Sequence, residues 1–160
     1  MIAEIGLGAS VVAAGLWSGL LLTVTTILHP LFGRQDAAGF ATEMHRFLPI
    51  ARRSPTNYIL VATLLLAPPV ALVGLGIQQA FGAAFVLTAT GLVATVAGPL
   101  LISRRLAEPN YALILGWNPQ HPPDDWQVAR DRWYRHNWMR AALTWVAFAL
   151  FLAASYAHLG

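Results

Sequence analysis

Apolar and polar residues come in long blocks along this chain, not at the short periods of a water-soluble fold. Residues 5–33, 54–103 and 141–160 hold no Asp, Glu, Lys or Arg. An apolar stretch of about 20 residues crosses a bilayer as a helix, and the middle block is long enough to do so twice. The pattern predicts an all-α fold, an integral membrane four-helix bundle in a single domain, 1–160. Its spans are Ile5–Leu31, Tyr58–Ile77, Phe81–Ser103 and Trp138–Ala157. A polar connection, a tight turn at Gln78–Ala80 and a long loop join them, so both termini fall on one side.

Two segments outside the spans carry helical patterns. From Asp36 to Ile50 the residues Phe40, Met44, Phe47 and Leu48 recur at spacings of three and four, which predicts an amphipathic connecting helix after the first span. Such a helix lies on the membrane surface or folds under the bundle. Asn118-Pro-Gln-His-Pro-Pro-Asp-Asp125 is a proline-rich turn, after which the side chain of Asp124 or Asp125 is expected to cap a helix from Trp126. That helical extension runs into the fourth span.

Within the spans, Gly15, Gly19, Gly74 and Gly91 are small enough to let helices approach, and Gly15-Leu-Trp-Ser-Gly19 is a small-xxx-small match. Pro68-Pro69 and Pro99 remove backbone donors, so a kink is expected at each.

Composition agrees with the membrane reading. Hydrophobic residues make up 57% and charged residues 11% of the chain, too few charges to coat a soluble domain. All ten basic residues are arginines, confined to 34–53 and 104–140. Arginine beside apolar spans marks orientation, so no nucleic-acid partner is expected, and both Arg-rich loops are expected to face the cytoplasm. The expected location is a bacterial inner membrane with both termini on the non-cytoplasmic side. The first span is too long for a signal-peptide core and is preceded by Glu4, not by a positive charge, so it is expected to be retained. The chain has no cysteine, which removes disulfides, thiolate metal sites and thiol nucleophiles.

The densest polar cluster is Asp125–Arg140. Along a helix, Arg130, Trp133, Asn137 and Arg140 form one stripe, and Arg132, His136 and Arg140 another. Asn137 and Arg140 stand at the mouth of an apolar span, where a polar group needs a partner or a wet cavity. His29 is an ionisable group in the first span, and His45 sits in the connecting helix beside Glu43 and Arg46. With Asn57 and Tyr58 at the start of the second span, these groups converge on one membrane face, where a small-molecule pocket is expected. The alternative for the tryptophans and most arginines is an interfacial belt without chemistry. No strict metal motif is present; if a metal or haem is bound, His29, His45 and His136 are its candidate ligands, assembled only by tertiary folding. A four-span bundle without an inverted repeat carries no obvious alternating-access machinery, although an oligomer would add a path.

With Gly15-Leu-Trp-Ser-Gly19 leading to His29-Pro30, the Phe40…Met44…Phe47 connection, and Trp133-Tyr-Arg-His-Asn137-Trp-Met-Arg140 entering the last span, the chain resembles the anthrone oxygenase-like family of small four-span membrane proteins. The resemblance covers nearly the whole chain, and Trp-x-x-x-Asn-x-x-Arg is its most specific element. It departs at Pro99-Leu-Leu-Ile-Ser103, where the family carries Pro-x-Asn. The resemblance implies oxidation of a lipophilic aromatic of anthrone type, with molecular oxygen as co-substrate.

The residue types suit that chemistry. A histidine, His29 or His45, would act as base; Asn137, Arg140 and Arg130 would hold the resulting anion; Trp17, Trp117 and Trp133 would stack on a flat substrate, with Asn57 nearby. The expected partners are thus the lipid bilayer and a lipophilic aromatic small molecule, and a homo-oligomer stays open. Two other readings stand beside this one: a non-catalytic small-molecule-binding or assembly subunit, and a histidine-ligated metal or haem enzyme.

Overall fold

The computed structural model describes all residues, Met1–Gly160, as five helices with no strand. They are α1 Ile2–Gly33, α2 Ala37–Arg53, α3 Pro55–Ile77, α4 Ala83–Leu115 and α5 Trp126–Leu159. Four of them, all but α2, are long and apolar enough to cross a membrane, which marks the chain as an integral membrane protein. Their outward surfaces agree: Val12, Leu66, Val73 and Val93 are more than half exposed, as lipid-facing side chains are.

The four long helices run up, down, up, down. At one end Ala3 packs with Leu75 and Ala84, and Leu7 with Ala71 and Ala154, which brings both chain termini to the same end. The Arg-rich segments gather at the other. There Phe40, Met44 and Leu48 of α2 enter a core with Phe32, Tyr111, Ile114, Trp126 and Trp133, so α2 folds under the bundle. Phe47, predicted on the same face, is half-buried and edges onto Phe32 at a centroid distance of 5.8 Å. The cap of α2 is as its sequence suggests: Asp36 Oδ1 accepts from Gly39 N at 2.8 Å.

Three expectations are corrected. The third helix does not stop near Ser103 but continues to Leu115, because its segment Val96–Ala107 winds as a π-helix that carries the chain past Pro99. No aspartate side chain caps α5; instead the carbonyls of Pro123 and Asp125 take the N–H groups of Trp126 and Val128, at 3.1 and 2.9 Å. Of the Gly15/Gly19 pair only Gly15 faces another helix, where a Cβ would sit 3.1 Å from the Phe148 ring of α5; a Cβ on Gly19 meets nothing within 4 Å, because that position is exposed.

Gly74, one of the glycines singled out by sequence, does sit at a close helix contact, together with Gly6. A Cβ on Gly6 would sit 2.4 Å from Ala71 N, and one on Gly74 would sit 2.4 Å from Ala3 N. Backbone meets backbone at both positions, which holds α1 tightly on α3 at the terminal end. Toward the Arg-rich end the bundle holds a cavity.

Candidate functional site

The site is assembled from helix irregularities. His29 follows directly after a π-helical turn of α1, Val24–Leu28, and Ser103 lies inside the π-helical stretch of α4. A wide turn advances the register of the residues after it, and here both wide segments bring a polar side chain to α5. On α5, Trp133, Asn137 and Arg140 share one face by their spacing of four and three.

These groups form a directed chain of hydrogen bonds. Arg140 Nη1 donates to Ser103 Oγ at 3.2 Å, and its Nη2 donates to Asn137 Oδ1. A guanidinium only donates, so the amide oxygen must face it and the amide nitrogen must face the other way. That nitrogen lies 3.1 Å from His29 Nε2, which therefore accepts. The amide of Asn137 is 1% exposed and His29 is 6% exposed, so the pairing is made away from bulk water. Tyr134 completes it: its hydroxyl donates to the His29 carbonyl at 2.9 Å and its ring stacks on the imidazole at 4.3 Å.

Beside this chain lies a cavity of about 330 Å³ between α1, α2 and α5, closed off by α4. Its walls are mainly apolar, from Leu21, Val24, Leu28, Leu48, Tyr111 and Trp133 among others, and its polar groups include Asn137, Arg140, Asn57, Arg52 and Glu108. Leu20, Thr23 and Ile50 line it and are also exposed on the outside of the bundle, so it opens sideways near the junction of α2 and α3. Trp17 Nε1 and Arg140 Nε have no acceptor in the fold. A size of a few hundred Å³, apolar walls and a small set of polar groups are the marks of a small-molecule site.

Of the residues singled out by sequence, Trp17, Asn57, Trp133, Asn137 and Arg140 line this cavity. His29 does not; it stands behind Asn137. His45 is engaged elsewhere, with Nδ1 2.8 Å from the Ala41 carbonyl and Nε2 3.1 Å from the Leu115 carbonyl, and so pins α2 to the end of α4. Asn57 donates to the Ala51 carbonyl at 2.8 Å and braces the α2–α3 corner. Trp117 lies outside, along a groove with His121, Pro123 and Arg132. Arg130 is also outside, bonded to Asp131 at 3.1 Å and 5.0 Å over the Trp126 ring. The three histidines do not converge: His136 is buried on α5, and no group of three or more His, Cys, Asp or Glu residues is placed to hold a metal ion.

Sequence reading missed Ser103 as a partner of Arg140, Tyr134 as the support of His29, and the pair Arg52–Glu108. It also missed Asn110, whose amide donates to the Ala129 carbonyl at 3.0 Å and ties α4 to α5. The signal for Ser103 was its place four residues after Pro99 in an otherwise apolar span. Compared with protein-family models, curated proteins and solved structures, the chain finds no match.

Proposed function

We propose that the protein is a membrane-embedded oxygenase acting on a flat, lipophilic aromatic of anthrone type, with molecular oxygen as co-substrate. The ligand enters the cavity from the bilayer through the side opening at Leu20, Thr23 and Ile50, and its acidic C–H or phenol ionises there. Arg140 and Asn137 hold the charge that develops, and Trp17 and Trp133 flank the rings. By the distribution of arginines, the cavity end faces the cytoplasm and the termini face the other side.

The observation that carries the reading is the wall of the cavity formed by Asn137 and Arg140. The guanidinium is braced by Ser103 and by the amide before any ligand arrives, and one of its N–H groups is still unpartnered. Donors fixed in advance stabilise a developing anion without a reorganisation cost at the moment of reaction. The oxidation itself follows from the sequence resemblance. In that reaction a methylene becomes a ketone, and dioxygen ends as the ketone oxygen and one water.

The test is oxygen uptake by purified protein in lipid nanodiscs supplied with anthrone, with the quinone product followed by its absorbance. Stoichiometric uptake that is lost in Arg140→Ala supports the reading; binding of anthrone with no uptake above the uncatalysed rate overturns it. That second outcome defines the alternative of a binding subunit without turnover. One observation favours the alternative: of the two expected bases, neither His29 nor His45 lines the cavity, and Nε2 of His29 is taken up by Asn137.

A further inference from the structure

Two cavities meet at the Arg-rich end of the bundle. The inner one is the 330 Å³ cavity described above; the outer one, about 470 Å³, is lined by Pro49, Arg52, Arg53, Tyr58, Glu108 and Leu115. Arg52 and Glu108 alone belong to both linings. They form an ion pair of 2.6 Å between the last turn of α2 and α4, and each side chain is about 40% exposed. The pair is therefore a partition between an apolar chamber and a polar, open basin.

The chain places this carboxylate with some care. Glu108 is the first residue after the π-helical stretch of α4, and Pro109 follows it. It is the only carboxylate lining the inner cavity, and no histidine lines that cavity at all. The other charged groups around it are cations: Arg52 and Arg53 from α2, and Arg140 from α5 across the inner chamber. Tyr111 and Tyr58 are the nearby phenols in the two linings.

We propose that Glu108 is the proton acceptor of the site and that the Arg52–Glu108 partition is the route by which the proton leaves. This rests on the reading above, that the ligand ionises in the inner cavity. One carboxylate oxygen takes the proton from the acidic C–H or O–H of the ligand. The electron pair of the broken bond stays on the ligand, where Arg140 and Asn137 hold the negative charge. The neutral carboxyl then lets go of Arg52 and passes its proton to water in the outer basin, which restores the carboxylate and the ion pair. His29 in this scheme is a positioning residue that orients Asn137.

Dithranol, a dihydroxyanthrone whose anion absorbs in the visible, separates ionisation from oxidation when it is mixed with the protein in nanodiscs under anaerobic conditions. Quenching of tryptophan fluorescence reports binding independently. Wild-type protein should form the bound anion. Glu108→Gln should bind dithranol within a few-fold of wild type but form the anion about 100-fold more slowly, the usual scale for loss of a general base. Formate should restore much of the rate in Glu108→Ala. Arg52→Gln removes the same ion pair and keeps the carboxylate, so it should lose at most about tenfold, on the same general-base scale. Equal losses in Glu108→Gln and Arg52→Gln, or a wild-type rate in Glu108→Gln, overturn the assignment of Glu108. Binding of dithranol without anion formation in the wild type overturns the reading on which it rests.

Discussion

The side-chain amide of Asn137 lies between two partners, giving its N–H to His29 Nε2 at 3.1 Å and taking an N–H of Arg140 on its oxygen. The pairing joins α1 to α5 at the level of the cavity. Because Arg140 is a pure donor, the group between it and an accepting imidazole nitrogen must both accept and donate, and the amide of Asn137 does both from two separate atoms. Asn137→Leu is similar in size and leaves both partners unsatisfied, at about 1–3 kcal/mol for each buried polar group. It should lower the thermal unfolding temperature in detergent by several degrees and abolish ligand binding, whereas Ser103→Ala should cost less of both. Equal stability of the Asn137→Leu variant and wild type would show that the pairing carries no weight.

Arg140 is argued to matter for its geometry as well as its charge. Arg140→Lys keeps the cation but cannot reach Ser103 and Asn137 at once from a planar fork. Anthrone-type anion binding should fall at least tenfold in Arg140→Lys and further in Arg140→Ala, read by tryptophan quenching. A lysine variant with wild-type affinity would reduce the role of Arg140 to a point charge.

The tight contact of α1 with α3 is made by Gly6 and Gly74, not by the Gly15/Gly19 pair. Gly74→Leu should push the backbones apart and destabilise the bundle by about 1–3 kcal/mol or more, as overpacking does. Gly19→Leu adds a side chain to an open face and should be neutral within about 0.5 kcal/mol. Thermal unfolding of the two variants side by side separates these expectations.

His45 holds α2 against the end of α4 through the Leu115 carbonyl. His45→Ala should loosen α2 while leaving the four spans intact, so hydrogen exchange over Ala37–Arg53 should rise and exchange in the spans should not. Since Ile50, Ala51 and Arg52 line the cavity, ligand affinity should fall several-fold as a consequence. Unchanged exchange in α2 would mean that its apolar face alone secures it.

No three potential ligands of the His, Asp and Glu types stand together in the fold. Treatment with a strong chelator should accordingly leave ligand binding and oxygen uptake unchanged. Elemental analysis that finds stoichiometric iron or copper, lost together with activity, would overturn this and revive the histidine-ligated alternative.

The sequence by itself determined the four spans, the amphipathic connection and the face on which polar groups collect. Those features follow from local quantities: the length of uncharged stretches, a helical spacing of apolar residues, and where arginine is tolerated. Asn137 and Arg140 were legible for the same reason, since a polar residue at the mouth of an apolar helix stands out against its neighbours, and Trp17 and Trp133 were legible as flat rings suited to a flat ligand.

Only the tertiary structure decided which of the histidines stands beside the cavity and which is a brace. His29 lies in an apolar span and His45 in an amphipathic helix, but neither setting says what the ring meets: one meets an amide from α5 and the other two backbone carbonyls. Arg52 and Glu108 are 56 residues apart and each is ordinary in its own segment, so their ion pair has no local signature. Pro30 and Pro99 mark where helical donors are lost, but a lost donor does not say that the helix winds wide around it, nor that the wide stretch turns His29 and Ser103 toward α5; that depends on which helix packs beside it.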